Sequence, residues 1–205
     1  MHRVIGIDFD NTLVNYDDLI HRVAVERGLI PPQAPTRKKG VRDSIRLLPE
    51  GEVLWQKVQA EVYGPRMNEA LPAPAAKEFL RACAERNIPV SIVSHKTEFA
   101  NYDESGINLR DAALAWIEQH GLFEIDSYGL SAKDVYFETT RAEKLGRIEA
   151  LECTHFIDDL EETFLEKDFP QAVEMILYTP EADPEFTCEV ALAAGWPEIR
   201  DYFFK

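Results

Sequence analysis

The chain is poor in cysteine, in long apolar runs and in basic residues, and each shortage excludes something. Its 205 residues hold three cysteines, Cys83, Cys153 and Cys188. An odd number at wide, unrelated spacings fits neither a disulfide framework nor a zinc site, so small buried thiols in a reducing cytoplasm are expected. No apolar run approaches the ~20 residues that cross a bilayer. Met1-His2-Arg3 passes straight into Val4-Ile5-Gly6-Ile7, too short a stretch for the hydrophobic region of a secretory signal. A soluble, cytoplasmic protein with no membrane partner is the expectation. Lysine and arginine number 22 against 37 aspartates and glutamates, a net charge of −15. So acidic a surface repels a phosphate backbone, which disfavours a nucleic-acid partner.

What remains is a globular balance, 45% hydrophobic and 29% charged. It is enough to bury a core, in one domain or one domain with an insertion. Four short apolar runs, Val4 to Ile7, Val90 to Val93, Thr154 to Ile157 and Val173 to Tyr178, do not alternate polar with apolar. Such runs suit strands buried on both faces of a parallel sheet. Val135-Tyr136-Phe137 is a weaker fifth candidate. Between them, Ala75 to Arg86, Leu109 to His120 and Arg141 to Leu151 carry apolar residues at helical spacing. Alternation of strand and helix predicts an α/β fold, a three-layer αβα Rossmann-like parallel sheet.

One stretch breaks this rhythm. From Val14 to about Leu71 there are two helical patterns, Leu19 to Arg27 and Val53 to Val62, joined by a segment rich in proline and basic residues. It reads as a small helical subdomain, giving a core of residues 1–13 and 72–205 and an insertion of 14–71. The tail from Glu189 to Lys205 is expected to form two short helices divided by Gly195-Trp196-Pro197, with Tyr202, Phe203 and Phe204 docking on the body.

In open α/β sheets, ligands bind beyond the carboxyl ends of the strands. The first strand ends in Asp8-Phe9-Asp10-Asn11-Thr12, the second at Ser94 and the third at Asp158-Asp159. Four aspartates gathered from two strand ends repel one another by about 4 kcal/mol per pair at ~4 Å and an effective dielectric near 20. A divalent metal, a lysine or both must offset this, and oxygen-only ligands favour magnesium over zinc.

These residues resemble the motifs of the haloacid dehalogenase (HAD) superfamily of phosphotransfer enzymes. Val4 to Val14 is similar to its first motif, apolar residues followed by DxDxT. Ile92-Val93-Ser94 is similar to the second, and Phe156-Ile157-Asp158-Asp159 to the fourth in its adjacent-aspartate form. The third motif is a lysine at a helix start, for which Lys144 is correctly placed and Lys133 is a second candidate. The resemblance implies a magnesium-dependent phosphatase acting on a small phosphorylated metabolite through an aspartyl-phosphate. A phosphomutase of the same fold, or a silent phosphate-binding scaffold, is the alternative.

By the same resemblance, Asp8 is the nucleophile and Asp10 protonates the leaving group and then deprotonates water, its carbonyl touching the metal. Members that cleave carbon–halogen bonds lack this second aspartate. Ser94 donates to a phosphoryl oxygen, and Lys144 supplies positive charge and holds Asp8 ionised. Asp159 is favoured as direct metal ligand with Asp158 as its support, and Glu162 as an outer partner. The 14–71 insertion takes the position of the family's helical cap. Thr12, His95 and Lys96 are expected against substrate. Arg37 and Arg42, in a basic cluster with Lys38, Lys39 and Arg46, are candidates to grip a second anionic group; Trp55 and Tyr63 are read as packing. The oligomeric state stays open, a homodimer being one option.

Overall fold

Isoleucine, valine and phenylalanine crowd the predicted strands, and these side chains have nowhere to go but between layers of helix. The structure, a computed structural model, describes residues 3–103, 105–180 and 190–205. In chain order it forms β1 (Ile5–Ile7), β2 (Val14–Asn15), α1 (Asp17–Glu26), α2 (Lys38–Arg46), α3 (Gly51–Tyr63), β3 (Leu71–Pro72), α4 (Ala76–Ala84) and β4 (Val90–His95). There follow α5 (Leu109–Gln119), α6 (Ile125–Tyr128), β5 (Val135–Glu138), α7 (Arg141–Ala150), β6 (His155–Asp158) and α8 (Glu161–Phe164). The chain ends with β7 (Glu174–Tyr178), β8 (Ala191–Ala193) and α9 (Trp196–Phe204).

The chain divides into two units. The first comprises residues 1–14, 72–96 and 120–205. It contains a six-stranded sheet in the order β5-β4-β1-β6-β7-β8, parallel at every pairing. Alternate side chains point to opposite faces. On one face Val93, Phe156 and Leu177 pack with Leu145 and Ile148 of α7 and Phe164 of α8. On the other, Phe79 of α4 meets Trp196 and Phe203 of α9, with ring centroids 5.1 and 5.6 Å away, and Tyr178 stacks near Trp196 at 5.9 Å. Each such apolar side chain removed from water contributes about 1.5–3 kcal/mol. This is the three-layer αβα arrangement expected from the alternating pattern.

Two local signals fix α7, which carries Lys144. The Thr140 hydroxyl accepts from the Glu143 N–H at 3.2 Å while the Glu143 carboxylate accepts from the Thr140 N–H at 3.0 Å. This reciprocal cap sets where the helix starts, and the buried Leu145 and Ile148 set its rotation.

The second unit comprises residues 15–71 and 97–119. Its helices α1, α2, α3 and α5 bury Ile20, Val23, Val41, Ile45, Trp55, Val58, Trp116 and Ile117. The Asp17 carboxylate accepts from the Lys38 N–H at 2.8 Å, steadying the start of α2. The Trp116 indole N–H donates to the Ala70 carbonyl at 2.8 Å.

Three features differ from the sequence reading. The proline- and base-rich joining segment contains α2, whose only apolar signal is Val41 and Ile45, four residues apart and both buried. Residues 97–119, counted with the sheet domain from their place in the chain, cluster with the helical unit, because Trp116 and Ile117 of α5 bury there. The tail holds one helix and one strand instead of two helices. Ala191–Ala193 pairs with β7 at the sheet edge, and the helix begins after Gly195 with Pro197 in its first turn, where proline's missing N–H costs nothing. Of the docking aromatics, Phe203 is buried while Tyr202 is exposed. Glu189 and Cys188 lie outside the described residues. Cys83 and Cys153 are buried and free, and burial pushes their thiols up to about 12 and about 11. Among the described residues, no helix is long and apolar enough to cross a membrane.

Gly6 sits in the central strand because a side chain there has no room. A Cβ would stand 2.6 Å from Phe156 Cδ2 and 3.1 Å from Cys153 Sγ. Gly6→Ala is therefore expected to lower stability by about 1–3 kcal/mol, the usual cost of overpacking a core. Urea denaturation checks this, and Phe156→Leu in the same chain should recover part of the loss. An unchanged midpoint for Gly6→Ala contradicts the packing described here.

Candidate functional site

Strand order decides which residues meet. β1 lies between β4 and β6, with Ile7 level with Ile92 on one side and Ile157 on the other. Asp8 and Asp158 each come one residue after that paired row, and Ser94 two after it, so all three emerge at the same carboxyl edge. The Asp8 N–H still donates to the Ile157 carbonyl at 2.8 Å. Beyond it the chain folds back: the N–H groups of Leu13 and Val14 both donate to the Phe9 carbonyl at 3.1 Å. Asn11 takes φ 62° to make the turn, a left-handed conformation that asparagine tolerates better than most residues. The turn is braced from the far end of the chain, where the buried Trp196 donates its indole N–H to the Thr12 carbonyl at 3.1 Å.

Asp8 is buried, and one of its oxygens takes two donors. The Ser94 hydroxyl donates to Asp8 Oδ1 at 2.9 Å, and Lys144 Nζ donates to the same oxygen at 2.6 Å. Lys144 is itself buried and donates also to Asp158 Oδ2 at 2.7 Å. Asp158 is fully enclosed, and its other oxygen accepts from the Leu160 N–H at 2.9 Å. Burial raises the Asp8 carboxyl, the Lys144 ammonium opposes this, and the Asp158 charge adds to it, leaving Asp8 at about 6 against an ordinary 3.8. The lysine cannot cancel the burial because it is shared between two carboxylates. For Lys144, burial alone would lower the ammonium's pKa, but Asp8 and Asp158 together raise it overall, so it stays charged.

Asp10 is held differently. Lys96 Nζ lies 3.1 and 2.8 Å from its two oxygens, with the lysine side chain only 2% exposed and that of Asp10 20%. The same ammonium sits 5.6 Å from the centre of the Phe9 ring, an added attraction for a cation. Lys96 was expected against substrate; it is buried against Asp10.

The other candidates are placed as follows. Thr12 is fully buried, its hydroxyl 3.5 Å from Asp159 Oδ1. His95 is exposed, with Nε2 2.9 Å from the Thr139 carbonyl. Lys133 is exposed, so Lys144 is the lysine that meets Asp8. Glu162 is exposed on α8. Arg42 lies in α2 of the helical unit, and Arg37 is exposed just before that helix, 4.0 Å from Asp17.

The site also has the makings of a cation site. Asp8, Asp158 and Asp159 each offer a carboxylate oxygen, and these lie within 4.8 Å of one another. At that separation and an effective dielectric near 20, each pair repels by about 3.5 kcal/mol before screening. Lys144 supplies one positive charge against three negative ones, leaving a surplus equal and opposite to one divalent ion. An oxygen-only donor set suits a hard cation, so the residues fit such an ion. The Asp10 carboxylate is not part of this group; its expected contribution is the backbone carbonyl.

No family model matches the sequence, and no curated protein matches it. Solved structures do. A HAD-superfamily hydrolase from Ehrlichia chaffeensis superposes with a TM-score of 0.55 at 14% identity, covering 98% of this chain and 97% of that one. A HAD-family hydrolase from Deinococcus radiodurans R1, with bound phosphate and sodium, gives 0.58 at 16% identity, covering 98% and 95%. A dehalogenase gives 0.54 at 11% identity, covering 100% and 98%. Near-full coverage in both directions at such low identity is a likeness of architecture. The chain has the fold of the haloacid dehalogenase superfamily.

Proposed function

We propose that this chain is a magnesium-dependent phosphatase that hydrolyses small phosphomonoesters in the cytoplasm through an aspartyl-phosphate on Asp8. The observation that carries the reading is a pair of carboxylates two residues apart and held for different work. Asp8 is buried between Ser94 and Lys144, whereas Asp10 is partly exposed and gripped by Lys96. Dehalogenases share the fold, but a halide leaves as a stable anion and needs no proton. An alkoxide does need one, and Asp10 is the acid that would give it.

Asp8, Asp158 and Asp159, with the Asp10 carbonyl, would hold the magnesium ion. When bound, it neutralises the phosphoryl oxygens as the nucleophile approaches. In the first step an Asp8 oxygen attacks phosphorus and the ester P–O bond breaks, the leaving oxygen taking a proton from Asp10. In the second, Asp10 takes a proton from water, the water oxygen attacks the same phosphorus, and the bond to Asp8 breaks to release phosphate. Lys144 and Ser94 hold the Asp8 carboxylate in one orientation throughout. Lys96 does the same for Asp10.

Hydrolysis of para-nitrophenyl phosphate with magnesium tests the reading. Turnover should stop with chelator and fall by about a thousandfold or more in Asp8→Asn, as for loss of a covalent nucleophile. Metal-loaded protein that leaves a broad panel of phosphate esters intact would show the reading to be wrong. Exchange of phosphate between substrate positions without net release would assign a mutase instead.

Lys96 gives a finer test. Lys96→Met frees Asp10 to turn away, so kcat on an alkyl phosphate should fall by about ten- to a hundredfold, within the range that acid–base catalysis supplies. The loss should be smaller for para-nitrophenyl phosphate, whose leaving group needs little protonation. Equal losses on both esters would contradict a role through Asp10.

A further inference from the structure

We propose that the helical unit holds a binding site for a small hydroxylated anion, built wholly from its own residues and independent of the phosphatase reading. α2 carries Lys38, Arg42 and Arg46 at intervals of four, which lines them up along one side of the helix. They line a cavity of about 470 Å³ together with the amides of Gln56, Gln59 and Asn101. That volume falls in the ordinary range for small-molecule sites.

The two guanidinium groups are propped in place. Arg42 Nε donates to Asp43 Oδ1 at 3.0 Å, and Arg46 Nε donates to Glu52 Oε2 at 2.7 Å. Each arginine thus gives its inner nitrogen to a carboxylate, and its terminal nitrogens make no further ion pair among the described residues. A guanidinium anchored on one edge presents a fixed pair of donors on another, the geometry that binds phosphate or carboxylate. Counting Asp43 beside Arg42, the group has three cations against two carboxylates, Asp43 and Glu52, in a chain whose net charge is −15. Local positive surplus in an acidic molecule concentrates small anions. Amide groups both donate and accept, so Gln56, Gln59 and Asn101 match hydroxyls better than an apolar body. Trp55, Tyr63 and Leu109 complete the wall and suit the C–H face of a carbon chain, so a sugar acid or sugar phosphate, with hydroxyls, an anion and a C–H face, has this chemistry.

Titration calorimetry of the full chain in chelator, with 6-phosphogluconate as probe, tests the site without involving turnover. Gluconate, carrying the carboxylate alone, separates the two anion chemistries, and neutral glucose should not bind. Arg42→Ala is expected to weaken 6-phosphogluconate by about tenfold or more, the loss expected for a charge-assisted hydrogen-bonding partner. Gln59→Glu, which places a negative charge in the cavity, should do the same and guards against a folding defect in the first variant. Absence of binding by the wild type overturns the proposal. So does affinity that survives both variants and is lost in Asp8→Asn, which would place the anion at the catalytic carboxylates.

Discussion

Lys144 stands between two buried carboxylates, donating to Asp8 at 2.6 Å and to Asp158 at 2.7 Å, and the arrangement of the site follows from that one sharing. A single ammonium cannot neutralise Asp8, Asp158 and Asp159 together. The cluster remains short of positive charge, and burial, with the Asp158 charge adding to it, leaves Asp8 at about 6 despite Lys144. Breaking a buried pair of this kind leaves an uncompensated charge, typically at a cost of about 3–5 kcal/mol. The site is thus both a liability to the fold and a ready receptor for a hard cation.

The surrounding architecture serves to keep those charges where they are. β1 at the middle of the sheet, with β4 and β6 at its sides, brings Asp8, Ser94 and Asp158 to one edge. The reciprocal cap at Thr140 and Glu143 fixes the start of α7 at Arg141, three residues before Lys144 enters the core. Trp196, near the far end of the chain, locks the turn after Asp8 through the Thr12 carbonyl. Gly6 lets Phe156 lie flat against the central strand. Apart from the local cap at Thr140 and Glu143, these contacts join residues far apart in sequence, so the rigidity of the site belongs to the whole first unit.

Much of this was legible in the sequence because buried parallel strands leave uninterrupted apolar runs, and polar residues at their ends mark one edge. Asp8, Ser94, Asp158 and Lys144 follow from that logic and from the HAD resemblance. Other features left weaker traces. β8 is three residues, Ala191–Ala193, without the β-branched residues that distinguish a strand from a helix. α2 offers only two apolar positions amid basic ones. Lys96 is expected against substrate because it follows Ser94 at the mouth of the site; its burial comes from Phe9 and Asp10, which only the folded turn brings near. Assignment of residues 97–119 to the helical unit rests on where Trp116 finds its partners, and no local pattern encodes that choice.

The most direct test of the account is calorimetric titration of the full chain with magnesium between pH 5 and pH 8. A cluster short of two positive charges should take up one ion per chain, and Asp159→Asn should weaken it by about tenfold or more. Asp8 must lose its proton to join, so affinity should be level above pH 6 and fall toward tenfold per unit below it. No uptake, or an affinity indifferent both to Asp159→Asn and to pH through 6, would contradict the claim that these carboxylates share a divalent cation.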